Sequence, residues 1–341
     1  MHVRPGRSLA ANAAKWMFMP DNDIVLKRIR GFHVGGRRRR ITGFDARPRS
    51  RVPGDAPVAI DMNGDHMVGQ LYAKEYLQSD ARFALPVLLW HGGGLSGACW
   101  EDTPEGGAGW LDYFLRDGCD VVVSDAFERG RASFPPYPQF LSSPPEHRSL
   151  EAVWHHFRFG PGGSYPDPLT PESLRARAYP GQQFPVESLE QFGRQFVPRW
   201  AGTDEFALRA YAELLEKIGP CVVIGHSQGG SFALECARRH PDLVRAVVAV
   251  EPAAAPAGEP GAGGAPHLFV WGDRIDDNPT WVRYRDAALR YKQRLQAQGV
   301  RADWLSLPDH GVGGNSHMLI MDRNNQAIAA MVGGWLRELF P

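Results

Sequence analysis

Residues 221 to 230 read CVVIGHSQGG, an apolar run followed by a serine between glycines. Ser227 lies in the pattern Gly-x-Ser-x-Gly, and the GSFALECARRH that follows has apolar residues at helical spacing. A strand that turns this sharply into a helix needs glycine at Gly225 and Gly229, because side chains there would collide. The stretch predicts a strand, a tight turn and a helix, with Ser227 raised above a sheet as a nucleophile. The alternative is an ordinary glycine-rich turn.

Short apolar runs alternate with helical patterns on both sides of this turn, from about residue 84 onward. The runs are LPVLLWH, CDVVVSD, CVVIGH, VRAVVAVE, PHLFVWGD and ADWLSLP. Each is almost continuously apolar, as in strands that helices cover on both faces. The alternation predicts an α/β protein with a mostly parallel central sheet flanked by helices. Residues 24 to 76 predict antiparallel strands before it.

Residues 134 to 200 interrupt this rhythm, because they are dense in Pro, Gly and aromatic residues and too long for a simple connection. They follow a predicted strand at the carboxyl edge of the sheet, so we expect a lid over the active site. The expected division is residues 1–133 as the first part of the core, 134–200 as the lid and 201–341 as the rest of the core. Five aromatic residues are candidates for an apolar substrate pocket, with core packing as the alternative for each: Trp100, Trp110, Trp154, Phe157 and Phe159.

The composition narrows the set of partners. Thirty-eight basic residues balance thirty-eight acidic ones, so no net field favours nucleic acid, and we expect the GGRRRR run to be an exposed turn. No run of eighteen apolar residues is present, which argues against a membrane-spanning helix. Four cysteines without paired short spacing predict free buried thiols. We expect a small-molecule partner, no metal and no cofactor, and a homodimer stays open.

The start of the chain has some features of a targeting signal. Arg4 and Arg7 resemble a basic leader region, but the apolar run after them is shorter than a signal peptide requires. The expectation is a cytoplasmic protein, with export left open.

A glycine run follows the first predicted parallel strand, in HGGGLSG from His91 to Gly97. Backbone amides in such a run can approach a substrate closely, and the amide after a nucleophilic serine supplies a second donor. The N–H groups of Gly93, Gly94 and Gln228 are therefore the candidate oxyanion hole. A phosphate-binding loop is the alternative, and it is disfavoured because the run has no lysine.

Two histidines follow the last predicted strand, His310 in DHGVGG and His317 in GNSHM. A general base is expected on this loop, and both satisfy the chain order of serine, acid and histidine. Either could instead be a structural loop residue.

The acid is harder to place. Its usual position after the strand in PHLFVWGD is occupied by Ile275, which cannot orient an imidazole. Glu251, at the end of the preceding strand, is a second solution, since ligands bind at the carboxyl ends of strands in open sheets. Three aspartates near the usual position stay open: Asp273, Asp276 and Asp277.

From about Leu85 to the C-terminus the sequence resembles the bacterial esterases typified by an Alcaligenes esterase with an α/β-hydrolase fold. The similarity runs through GWLDYF, FRFGP, QFPV and SHMLIMDRNN. The resemblance implies a triad of Ser227, Glu251 and His317. Where the family member has two adjacent cysteines this chain has Gly93 and Gly94, and we expect the backbone donors there to survive.

The expected function is a serine carboxylic ester hydrolase that acts through an acyl-enzyme on a small, largely apolar ester. An acyltransferase or a perhydrolase would use the same residues, and a non-catalytic receptor could share the fold. A dehalogenase is disfavoured, because it would need a carboxylate in place of Ser227.

Overall fold

The computed structural model describes residues 23–261 and 263–341. Arg4 and Arg7, on which the expectation about a signal peptide rests, lie outside the described residues. Within the described ranges, no helix is both long and apolar enough to cross a membrane.

The strands form one large sheet and one small one. The described part of the chain has ten strands: β1 (Leu26–Ile41), β2 (Arg47–Arg49), β3 (Val58–Ile60), β4 (Gly64–Gln78), β5 (Val87–Trp90), β6 (Val121–Asp125), β7 (Cys221–His226), β8 (Val244–Val250), β9 (His267–Trp271) and β10 (Ala302–Ser306). The large sheet has the order β1-β4-β6-β5-β7-β8-β9-β10, and β2 pairs with β3 separately. The six strands from β6 to β10 in that order are parallel, and β1 and β4 are antiparallel, as the sequence predicts.

Eight α-helices are described. They are α1 (Trp110–Arg116), α2 (Leu150–His156), α3 (Pro171–Arg177), α4 (Leu189–Gly193), α5 (Asp204–Ile218), α6 (Gln228–Arg239), α7 (Pro279–Ala297) and α8 (Asn325–Leu339). The sequence shows why α7 begins where it does, because the Asn278 side chain accepts the Thr280 N–H and Pro279 is the first helical residue. The helix predicted for GSFALECARRH is confirmed as α6, and the helical patterns predicted on both sides of the Ser227 turn are confirmed by α5, α7 and α8.

Two apolar cores lie on opposite faces of the sheet. Successive side chains of β6 point to opposite faces, so Val121 and Val123 lie in one core and Val122 in the other. The first core contains α1, α8 and aromatic residues of the 134–200 segment, and the second contains α5, α6 and α7. The near-continuous apolar runs follow from this, since both faces of each central strand are covered.

The arginines of GGRRRR are exposed, as expected, but the run is not a turn. Residues 35–40 lie inside β1, where Arg37 pairs with Val68 of β4. The arginines are exposed because β1 is an edge strand, and charged side chains are common there. The four cysteines are buried and free, as predicted.

Candidate active site

Ser227 occupies the turn between β7 and α6. Its backbone has φ 55° and ψ −117°, a conformation rarely adopted by residues other than glycine, and such strain costs about 1–3 kcal/mol. A Cβ on Gly225 would lie 2.3 Å from the Gly229 carbonyl oxygen, and one on Gly229 would lie 2.3 Å from the Trp90 carbonyl oxygen. The glycines of the motif are thus required by contact.

His317 lies on the loop between β10 and α8, against a carboxylate. Its Nδ1 is 2.6 Å from Glu251 Oε2, and both side chains are buried. The ring centroid is 4.0 Å from that of Trp281 and 4.5 Å from that of His226, the residue before Ser227. The fold therefore brings the end of β7, the end of β8 and this loop to one point.

Glu251 follows β8 directly, with φ 43°. Its Oε1 accepts hydrogen bonds from the Gly272 N–H at 2.8 Å and from Arg158 Nη2 at 2.5 Å. A Cβ at position 272 would lie 3.0 Å from the same oxygen, so the close approach favours glycine there. With Oε1 saturated, Oε2 is left to accept from His317 Nδ1–H, which leaves the Nε2 of the ring as the proton acceptor.

Arg158 is the residue that the sequence reasoning missed at this point. It is 2% exposed, and besides Glu251 its Nε donates to the Asp273 carbonyl oxygen at 2.7 Å. Its guanidinium lies 5.2 Å from the centre of the Trp281 ring. Arg158 belongs to the FRFGP stretch, but nothing in that stretch alone indicates a partner 93 residues away.

The ionisation of these groups follows from burial. Burial lowers the pKa of His317 well below its usual value, and the neighbouring His226 and the Arg158 charge act in the same direction. Burial raises the pKa of Glu251, while the Arg158 charge and hydrogen bond oppose that rise. His317 is therefore neutral near pH 7 and able to accept a proton.

The glycine loop after β5 lies beside Ser227. A Cβ on Gly92 would be 3.0 Å from Ser227 Cβ, and one on Gly93 would be 3.0 Å from Gln228 Oε1. His91 holds the loop, because its Nδ1 is 2.8 Å from the Gly92 carbonyl oxygen. Within the described ranges, no backbone carbonyl accepts the N–H groups of residues 93 and 94.

The 134–200 segment contacts the site from more than one side. The Phe157 carbonyl oxygen accepts the His317 N–H at 2.9 Å, and the two rings are 4.9 Å apart. Val197 N–H donates to the Gly94 carbonyl oxygen at 3.0 Å. The segment is thus attached both to the histidine loop and to the glycine loop.

The five aromatic candidates for a substrate pocket all lie in the core. Trp100, Trp110, Trp154 and Phe159 are at most 1% exposed. Trp110 donates its indole N–H to the Asn325 carbonyl oxygen, and Phe159 stacks on Phe184 at 3.9 Å. Core packing, the alternative, describes the contacts of these four residues. The ring of the fifth candidate, Phe157, also lies beside His317, as does that of Trp281.

The remaining histidine and aspartate candidates lie in other surroundings. His310 ends a 3₁₀ turn, and its Nδ1 is buried with no hydrogen-bond partner among the described residues. Asp273 Oδ2 accepts the Asn315 N–H at 2.9 Å and so holds the backbone of the histidine loop. Asp276 pairs with Arg285 and Asp277 with Arg274, both at the surface.

A second carboxylate supports the histidine loop. Asp322 accepts hydrogen bonds from the Asn315 side chain, the Ser316 hydroxyl and the Ser316 N–H. Burial raises the pKa of Asp322 to about 6. Across the described ranges, no cluster of three or more His, Cys, Asp or Glu side chains could hold a metal ion.

Comparisons with known proteins agree with this architecture. The sequence model of the α/β-hydrolase fold matches residues 86–282. A solved structure described as a novel bacterial esterase is 32% identical, with a TM-score of 0.77, covering 94% of this chain and 98% of that one. A probable secreted lipase, phiG, from Fungal sp. (strain ATCC 74256) is 23% identical over 87% of this chain and 94% of its own length.

Proposed function

Because the chain belongs to the α/β-hydrolase fold family, we propose that it hydrolyses carboxylic esters, with Ser227 as nucleophile, His317 as base and Glu251 as acid. The observation that supports this most is the 2.6 Å contact between His317 Nδ1 and Glu251, beside the strained turn at Ser227. The relatives named an esterase and a lipase point to the same class of reaction.

The first half of the reaction forms an acyl-enzyme. His317 Nε2 takes the proton of the Ser227 hydroxyl as the oxygen attacks the ester carbonyl. The carbonyl oxygen becomes negative, and the N–H groups of Gly93, Gly94 and Gln228 donate to it. His317 then passes its proton to the departing alcohol oxygen.

The second half uses water. His317 removes a proton from a water molecule as that water attacks the acyl carbonyl, and Ser227 leaves with the proton. Glu251 keeps Nδ1 protonated and offsets the positive charge that develops on the ring in both halves. Arg158 and the Gly272 amide fix the carboxylate for this task.

We assign the 134–200 segment the role of a lid, with residues 1–133 and 201–341 as the two parts of the core. The support is the set of contacts that Phe157, Arg158 and Val197 make with the site. The relative named a probable secreted lipase keeps export open beside the cytoplasmic location expected from the sequence. A homodimer stays a prediction.

The test is a panel of chromogenic esters with short, long and aromatic acyl groups, run on the wild type and Ser227→Ala. We expect hydrolysis by the wild type and a loss of at least about 10³-fold in kcat for Ser227→Ala. Labelling by a serine-reactive phosphonate, read by intact mass, should vanish in Ser227→Ala and persist in Ser231→Ala, the next serine of α6.

Two outcomes would point elsewhere. An unlabelled, inactive wild type would favour a receptor on this fold. Faster release of the acyl group to an added alcohol or to peroxide than to water would identify an acyltransferase or a perhydrolase, which share the same acyl-enzyme.

A further inference from the structure

Two arginines lie against the glycine loop, and a third lies beside Gln228. Arg148 Nε would be 2.6 Å from a Cβ on Gly94, and Arg199 Nη1 would be 2.9 Å from a Cβ on Gly93. Arg129 Nη2 is 3.4 Å from Gln228 Oε1, in the residue that follows the nucleophile. The side chains of Arg148 and Arg199 occupy space that a Cβ at positions 94 and 93 would otherwise fill.

Their charges are not equally balanced. Arg129 is paired with the buried Glu128, and Arg199 Nε is 3.0 Å from Glu146 Oε2. Arg148 has neither an ion pair nor a hydrogen bond in the part of the chain that the structure describes, and its Nε is buried.

Arg148 remains a cation at neutral pH. Burial, followed by the like charges of Arg199 and Arg129, lowers its pKa to about 10. It costs free energy to keep this cation partly buried, beside two others and without a carboxylate of its own. Binding of an anion would offset that cost.

Arg148 is also close to the reacting atoms. Its Cζ lies 5.2 Å from the centre of the Phe157 ring, which is 4.9 Å from the His317 ring. Gly94 is two residues from Gly92, which contacts Ser227, so the guanidinium is on the order of 10 Å from the nucleophile. A chain of a few carbons spans that distance.

We propose that Arg148, with Arg199 beside it, binds a carboxylate carried by the ester substrate, so that the enzyme prefers esters with one negative charge a few carbons from the scissile bond. This rests on the proposed esterase function. A carboxylate fits best because one cation lacks a partner and the planar guanidinium fork matches a carboxylate. Phe157 would pack on the carbons between the two ends. The proposed substrate therefore differs from the largely apolar ester expected from the sequence, because one end of it is charged.

The test uses two chromogenic esters of equal shape, the 4-nitrophenyl monoester of glutarate and 4-nitrophenyl 5-methylhexanoate. The second replaces the carboxylate oxygens by methyl groups. For the wild type we expect a higher kcat/KM on the charged ester, and a ratio between the two that falls as salt is added.

Arg148→Met should lower that ratio by about 10- to 100-fold, mainly through KM of the charged ester, because a charge-assisted hydrogen bond is lost. Arg148→Lys should restore part of it, since the charge returns without the fork. Arg194→Met, which changes an exposed arginine of the same segment, should leave the ratio as in the wild type.

An unchanged ratio in Arg148→Met, or an equal loss on both esters, would overturn the proposal and leave Arg148 with a packing role on Phe157. If the wild type hydrolyses neither ester, the esterase function fails on its own. Calorimetry with glutarate then still decides the subsite, because binding that Arg148→Met abolishes would support it and no binding would reject it.

Discussion

The ends of β8 and β9 lie side by side, and each has a carboxylate that contacts the histidine loop. Glu251 at the end of β8 binds the His317 ring, whereas Asp273 after β9 binds the backbone of Asn315. Glu251 is fully buried and Asp273 is partly exposed. A carboxylate at the carboxyl edge of this sheet is therefore not enough to mark the acid, because the direction of the side chain decides which part of the loop it reaches.

The largest expected effect is that of Glu251→Gln. Without the carboxylate His317 can adopt the wrong tautomer, and its developing charge loses its partner, so kcat should fall about 10³- to 10⁴-fold. Arg158 would also be left as a buried cation without its anion, which should lower the free energy of unfolding by about 3–5 kcal/mol. Thermal unfolding and steady-state kinetics measure the two effects.

Asp273→Asn is the matched control for that experiment. Near-normal kcat in folded Glu251→Gln, together with a collapse in Asp273→Asn, would move the acid from the end of β8 to the end of β9.

The comparison of the two strand ends also shows which parts of the site can be predicted from the sequence. The turn at Ser227 was predictable because its strand, glycines and helix are within about twenty residues, and each constrains the next. From the residues alone, Glu251 is one of four candidate carboxylates for the acid, and only the resemblance selects it. Neither Arg158 nor Trp281 was predictable as a neighbour of His317, because their contacts join distant segments.

The aromatic candidates show what residue type alone does not predict. Residue type alone suggests Trp110 and Trp154 for a pocket, and the structure places both in the core. Burial of large aromatic side chains is common in any fold, so residue type cannot separate core from pocket. Distance to His317 separates them, and that distance exists only after folding.

The second prediction concerns the residue that links the two ends. Arg158→Met removes the bonds to Glu251 and to the Asp273 carbonyl, and we expect kcat to fall about 10- to 100-fold. Its cation lowers the pKa of His317, so its removal should raise that pKa. The acid limb of kcat/KM, which reports the histidine in the free enzyme, should then move to higher pH.

A purely structural role for Arg158 would leave the acid limb in place. Arg158→Lys is the control, since it keeps the charge but cannot make both bonds, and its limb should stay near that of the wild type. A limb that does not move in Arg158→Met would contradict an electrostatic role.

The third prediction is smaller. Asp273→Asn keeps the size of the side chain and weakens the bond to the Asn315 N–H, so the free energy of unfolding should fall by about 1–2 kcal/mol. Because Asp273 touches the loop backbone and not the imidazole, kcat should fall by less than about tenfold. Denaturant unfolding and kinetics on the same samples test this, and an effect as large as that of Glu251→Gln would remove the distinction between the two ends.

The smallest effect is expected at Asp276, which directly follows Ile275, the residue in the usual position of the acid. Its side chain is 80% exposed and pairs with Arg285 at 2.7 Å on the outside of the molecule. Exposed ion pairs contribute at most about 1 kcal/mol and are screened by salt, so Asp276→Asn should leave both kcat and the unfolding midpoint within error. The 3₁₀ turn Ile275–Asp277 explains why, since it buries Ile275 and turns Asp276 toward solvent. A strong loss of kcat at low salt that persists at high salt would mean that this side chain reaches the imidazole, and the acid would then belong to β9 after all.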